Sequence, residues 1–245
     1  MFDHVTIRVS DRRAAERFYR PVLEAARLER PTGGPVYLQW RDFSFAEAGP
    51  GHPVTRNLHL AFSVASRDLV DAFWRAGVEV GAPDDGRPGV RDFTPTYYGA
   101  FLRDPDGNSV EAVHRDGRRT DGNVDHLWIR VGNLAASRTF FEAIAPHAPI
   151  RRLTDTGERV SYVREGPGGG TFSLVAGGAR TEHVHLGFLA PDRATVDAFH
   201  AAALAAGYAD NGAPGPRPEY GPHYYGGFVV DPDGNNVESV YVGTG

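Results

Sequence analysis

The sequence predicts an α+β fold made of two tandem copies of one domain, residues 1–116 and 123–245. Three observations carry that expectation. Internal similarity runs through nearly the whole chain, and a strand–helix–strands order occurs twice within each copy. Apolar residues make up 41% of the 245 and aromatic residues 11%, enough to fill cores of that size.

The similarity is ordered and evenly spaced. Asp3-His4-Val5-Thr6-Ile7-Arg8-Val9 matches Asp125-His126-Leu127-Trp128-Ile129-Arg130-Val131, and Leu58-His59-Leu60-Ala61-Phe62 matches Val184-His185-Leu186-Gly187-Phe188. Tyr97-Tyr98-Gly99-Ala100-Phe101 matches Tyr224-Tyr225-Gly226-Gly227-Phe228. Asp104-Pro105-Asp106-Gly107-Asn108 matches Asp231-Pro232-Asp233-Gly234-Asn235, with Glu111 and Glu238 following at equal distance. Between the copies, 115–122 is polar, glycine-bearing and aperiodic, which marks a linker. It is short, so the copies are expected to pack together.

In the first strand Val5, Ile7 and Val9 take one face and His4, Thr6 and Arg8 the other, the alternation of a half-buried strand. A helix is expected over about Asp11 to Glu24, because Ala14, Ala15, Phe18, Tyr19, Val22 and Leu23 recur at helical spacing. Ser66 and Asp192 are placed to cap a second helix in each copy. Each Asp-Pro-Asp-Gly is a turn between the last two strands of its copy, with proline presetting the turn and glycine accepting a positive φ.

Composition excludes several chemistries. There is no cysteine, and all 26 basic residues are arginine, so thiolate nucleophiles, disulfides, Schiff-base lysines and lysine-bearing phosphate loops are absent. The net charge of −5 is spread without acidic or basic blocks, so neither nucleic acid nor a membrane surface is an expected partner. The strand-like charged start does not resemble a signal peptide, and no apolar run approaches membrane-spanning length. A soluble, cytoplasmic chain with a small-molecule partner is expected, as a monomer of two packed domains or a homodimer.

The residues just quoted resemble the vicinal oxygen chelate superfamily, which includes glyoxalase I, extradiol dioxygenases, fosfomycin-resistance enzymes and bleomycin-binding proteins. The resemblance covers almost all of both copies. It implies glyoxalase-like domains of paired βαβββ modules whose open curved sheets form a cup around a divalent metal. It also implies the ligands His4, His59 and Glu111, and His126, His185 and Glu238. Two imidazoles and a carboxylate on rigid strands suit Fe, Mn, Zn, Ni or Co and leave positions open for a chelating substrate. A lone strand histidine is more often structural, but three ligand types at family positions in both copies argue for metal.

Arg8, Trp128 and Arg130 share strand faces with the first histidines and are expected to line the cups, as are Tyr97, Tyr98, Tyr220 and Tyr224 from the loops before the last strand pair. Glu238, with His223 or Tyr225 transferring a proton, is the candidate catalytic set, and copy two is favoured as the active one.

Within the family, ring-cleaving dioxygenation is disfavoured: the position of its acid–base tyrosine holds Phe228 or Phe101, and that of the histidine these enzymes keep beside the ligands holds Glu219. Glu47 is a candidate for the fourth ligand of glyoxalase I, with no carboxylate in the matching stretch of copy two. Fosfomycin-type transferases place a lysine where this chain has none. The expectation is therefore a metal-dependent enzyme, acting as an isomerase, lyase, transferase or oxygenase on a small oxygenated molecule. The rival is a metal-free drug-binding protein of the bleomycin-resistance type. Family members pair modules within a domain or exchange them between domains; exchange would group His4 with His185 and Glu238, and His126 with His59 and Glu111.

Overall fold

A computed structural model describes residues 1–34, 36–164 and 170–243; the last two residues of copy two lie outside them. The chain runs through four similar modules. The first holds β1 (Phe2–Val9), α1 (Arg12–Ala25), β2 (Thr32–Gly33), β3 (Tyr37–Trp40) and β4 (Phe43–Glu47). The second holds β5 (His59–Ser63), α2 (Arg67–Glu79), β6 (Asp84–Val90), β7 (Tyr98–Arg103) and β8 (Ser109–His114). The third holds β9 (Val124–Val131), α3 (Leu134–Ile144), a 3-10 turn at Ala145–His147, β10 (Ile150–Asp155), β11 (Arg159–Arg164) and β12 (Thr171–Ala176). The fourth holds β13 (His185–Leu189), α4 (Arg193–Ala205), β14 (Ala209–Pro216), β15 (Tyr224–Val230) and β16 (Asn236–Val242).

Two eight-stranded sheets result, and each takes one module from each copy. One runs β14-β15-β16-β13-β1-β4-β3-β2 and the other β10-β11-β12-β9-β5-β8-β7-β6. The modules are therefore exchanged: β1 pairs antiparallel with β13, and β5 with β9. Within one copy the two modules meet through their helices instead, α1 on α2 and α3 on α4.

The buried core is continuous across the copies. Phe43 of β4 meets Phe62 of β5 edge-on at 5.1 Å, and Phe188 of β13 lies 5.8 Å from Phe2 and 6.0 Å from Phe172. Burying such rings contributes about 1.5–3 kcal/mol each; Phe2 on Phe188 binds one copy to the other, whereas Phe43 on Phe62 and Phe172 on Phe188 bind the two modules within a copy.

Local signals act as their chemistry requires. Asp11, Ser66 and Asp192 accept from the amides of Ala14, Leu69 and Thr195, capping α1, α2 and α4. The Asp-Pro-Asp-Gly turns join β7 to β8 and β15 to β16, with Gly107 at φ +85° and Gly234 at +88°. Each turn also braces a neighbouring module: Asp106 accepts from the Ser10 amide at 3.0 Å, and Asp233 from the Gly132 amide at 3.0 Å. The linker is strapped down. Arg119 is 3% exposed and donates to Asp42 Oδ2 at 2.6 Å, Asp121 Oδ1 at 2.7 Å and the Val124 carbonyl at 2.8 Å.

Candidate metal centres

Strand register decides which histidines meet. At the centre of the first sheet Thr6 lies opposite His185, His4 lies opposite Gly187, and Gly187 is beside Glu238 on the far side. Gly187 leaves room for the imidazole that crosses it; a Cβ there would strike the His4 ring. The second sheet repeats the register, with Trp128 opposite His59, His126 opposite Ala61, and Ala61 beside Glu111, an alanine standing where the first sheet has glycine.

Two three-donor clusters follow, His4 with His185 and Glu238, and His59 with His126 and Glu111. In the His4 centre, Nε2 of His4 is 2.8 Å from Nε2 of His185 and 3.3 Å from Glu238 Oε2, which is 3.0 Å from His185 Nε2. In the His59 centre the separations are 3.1 Å for His59–Glu111, 3.4 Å for His59–His126 and 3.5 Å for His126–Glu111. Ligands about 2.1 Å from one ion stand about 3.0 Å apart at right angles and about 3.4 Å apart in a tetrahedron. The donor sets therefore fit a single divalent ion in each cup.

The outer partners aim the donors. His4 Nδ1 donates to Asp3 and His126 Nδ1 to Asp125, both at 2.9 Å, leaving each Nε2 free to present its lone pair. Asp125 is in turn gripped by Arg115 at 3.0 Å, and it is the more buried of the pair, with 1% side-chain exposure against 27% for Asp3. His59 Nδ1 lies 3.2 Å from Ser109 Oγ, whose hydroxyl donates to Asp85. Both glutamates are fully buried, and each spare oxygen accepts a phenol: Tyr97 donates to Glu111 Oε1 at 2.7 Å and Tyr224 to Glu238 Oε1 at 2.6 Å. Gly99 and Gly226 make this possible, because a Cβ at either would overlap the glutamate oxygen.

Burial pushes the His59 and His185 imidazoles below their usual range and the Tyr97 and Tyr224 phenols well above theirs. At Glu238 burial alone would raise the carboxyl, but bonds to His185 and His4 outweigh it and hold it at about 2, against 4.5. Burial would likewise lower His4, yet the bonds to Asp3 and Glu238 win and raise it from 6.5 to about 10. In metal-stripped protein, the stability from Glu238 is full above 4.5 and lost as pH falls through about 2. That from His4 is full below 6.5 and lost as pH rises through about 10. Urea midpoints of the stripped protein should fall on both sides of this range, and Glu238→Gln should flatten both limbs.

Each centre opens into a cavity. That of the His59 centre is about 280 Å³, walled by Trp128, Phe93, Phe101, Tyr97, Arg103 and Arg130. That of the His4 centre is about 220 Å³, with Arg8, Thr6, Tyr220, His52, His183 and Phe228 among its lining.

Exchange separates residues that the sequence grouped by copy. Trp128 and Arg130 stand with His59 and Glu111, whereas Tyr220 and Tyr224 stand with His4 and Arg8. Three expected cup residues lie elsewhere, because neighbours on a strand face opposite ways. Tyr98 and Tyr225 donate to Asp71 and Asp197 on the helical side, at 2.9 and 2.7 Å. His223 is exposed in the turn just before β15 and lines neither cavity. Glu47 is in register with Val9, on the face away from His4, so it cannot be a fourth ligand. Sequence reasoning assigned no role to Asp3, Asp125, Gly99, Gly187 or Gly226. Four of these five recur at matching places in the repeat, which was the available signal.

Tyr224→Phe strands a buried carboxylate oxygen. It is expected to weaken metal binding in the His4 centre by roughly 10–100-fold and leave the His59 centre unchanged, as read by chelator competition.

The chain belongs to the Glyoxalase/Bleomycin resistance protein/Dioxygenase superfamily, whose sequence model matches residues 1–112 and 123–239. Glyoxalase I from Zea mays is similar in fold, with 18% identity over 98% of this chain and 92% of that one and a TM-score of 0.63. A point variant of the same maize enzyme gives 19% identity, coverage of 98% and 92%, and a TM-score of 0.66. Among curated proteins none matches the chain.

Proposed function

We propose that this chain is a metal-dependent enzyme that binds a small molecule through two adjacent oxygens, with a centre in each cup. The observation that carries the reading is the convergence of two imidazoles and one carboxylate within 3.5 Å of one another, twice, each set backed by its own orienting groups.

A bound divalent ion of the Fe, Mn, Zn, Ni or Co type would act as a Lewis acid toward both substrate oxygens. The chain supplies the rest. Asp3 and Asp125 fix two of the imidazoles, and Tyr224 and Tyr97 fix the carboxylates, so that no reorganisation is needed as charge develops. Arg8 places a positive group on the wall of the His4 cup. Tyr220, which lines that cavity and is 61% exposed, is the phenol proposed to move a proton there; its hydroxyl has no hydrogen bond among the described residues. Phe101 and Phe228 pack against His59 and His185 at 5.9 and 6.1 Å and carry no acid–base group, which weighs against ring cleavage.

Drug sequestration without metal is the rival, favoured by the aromatic wall of the His59 cup. Reconstitution with Co(II) separates the two. An enzyme of this type should take up two equivalents per chain, with visible bands that shift when oxalate is added. A chain holding no cobalt after reconstitution overturns the proposal.

A further inference from the structure

The cups share their ligands but not their walls. Two residues beyond the first histidine, and on the same strand face, the His4 cup has Thr6 where the His59 cup has Trp128. Thr6 is tied to Ser44 at 2.7 Å and leaves the floor open and polar. Trp128 lies 5.4 Å from the His59 ring, with Phe93 edge-on to it at 5.8 Å. The second difference is in the rim loop. Phe93 meets Tyr97 edge-on at 5.0 Å, and the same post beside Tyr224 is held by Tyr220, at 5.2 Å.

The arginines differ as well. Arg130 donates to the Gly177 carbonyl at 3.2 Å, so its guanidinium is occupied at the rim. Arg8 is half-buried on its cavity wall, and its guanidinium has no ion pair or hydrogen bond among the described residues. A partly desolvated guanidinium without a partner is costly unless an anion completes it. His52, His183, Asn211 and Asn236 add further polar groups to the same wall.

We propose that the two cups take ligands of different chemical class, the His4 cup a compact anion anchored on Arg8 and the His59 cup a flat ring held against Trp128 and Phe93. The proposal rests on both cups being ligand sites, as in the chelating function above, but the discrimination resides in side chains of the chain itself. One protein would thus present two non-equivalent sites.

Two probes test it: oxalate, a small dianion with adjacent oxygens, and tropolone, a flat ring with adjacent oxygens. Calorimetry is run on His126→Ala, which keeps the His4 cup, and on His185→Ala, which keeps the His59 cup. Each protein is measured both cobalt-loaded and metal-stripped, with its metal counted. The oxalate-to-tropolone preference is expected to differ between the two proteins by roughly 100-fold. In the otherwise unchanged chain, Arg8→Gln should weaken oxalate roughly tenfold, and Trp128→Thr should weaken tropolone and its quenching of tryptophan fluorescence roughly tenfold. Absence of metal sinks the chelating function, and the preference is then read from the stripped proteins. The same preference in both proteins, or binding of neither probe in either form, overturns the inference.

Discussion

Glu238→Ala is expected to abolish metal binding in one centre and leave the other intact, so that a chain loaded with two equivalents retains one. Among the described residues Glu238 is the only carboxylate of the His4 cluster, and it is 1% exposed, so its truncation leaves two imidazoles without an anionic donor. Its two oxygens do different work, Oε2 facing both imidazoles and Oε1 accepting from Tyr224. The loss should exceed the roughly 10–100-fold cost of disturbing an outer partner, which separates a direct ligand from an orienting residue. Glu111→Ala is the mirror experiment, and elemental analysis reads both.

Arg119→Ala is expected to cost about 3–5 kcal/mol of folding stability, because it leaves the Asp42 carboxylate buried without its counter-charge. The side chains of Arg119 and Asp42 are 2% and 5% exposed, so water cannot compensate. Asp42 also accepts from the Asn123 amide at 2.7 Å and thereby anchors the start of β9 beside the first module. Urea midpoints check the value. Asp42→Ala combined with Arg119→Ala should cost less than the sum of the two single changes, since the pair is removed together. A single-variant loss below about 1 kcal/mol, the range of exposed pairs, would show that the linker is not an anchor.

Much of the local structure was legible because it depends on neighbours in sequence. The Ser66 and Asp192 caps, the Asp-Pro-Asp-Gly turns and the alternation of β1 all follow from residues within a few positions of one another. Module pairing was not legible, because β1 presents the same polar face to β5 or to β13. The choice is made by long-range packing, such as Phe2 on Phe188. Arg119 was hidden for a similar reason: in a polar linker nothing marks one arginine as the partner of a buried aspartate 77 positions away.

Some misplacements could have been avoided from parity alone. Tyr97 and Tyr98 are adjacent on one chain segment, so only one of them can face the cup; Tyr97 does, through Glu111, and Tyr98 turns to Asp71. The same holds for Tyr224 and Tyr225. Glu47 follows Ala46, which pairs with Arg8 on the cup side, and so must face the other way. The candidate ligands needed the repeat and the family resemblance together, since nothing local distinguishes His4 from His52.

The exchanged pairing is the centre of this account, because it decides which residues share an ion. Metal stoichiometry of two double variants tests it most directly. His4→Ala with Glu238→Ala disables one centre twice, and this protein should retain one equivalent. His4→Ala with Glu111→Ala disables both centres and should retain none. Pairing within each copy would place His4 with Glu111 and give the reverse, one equivalent for the second protein and none for the first.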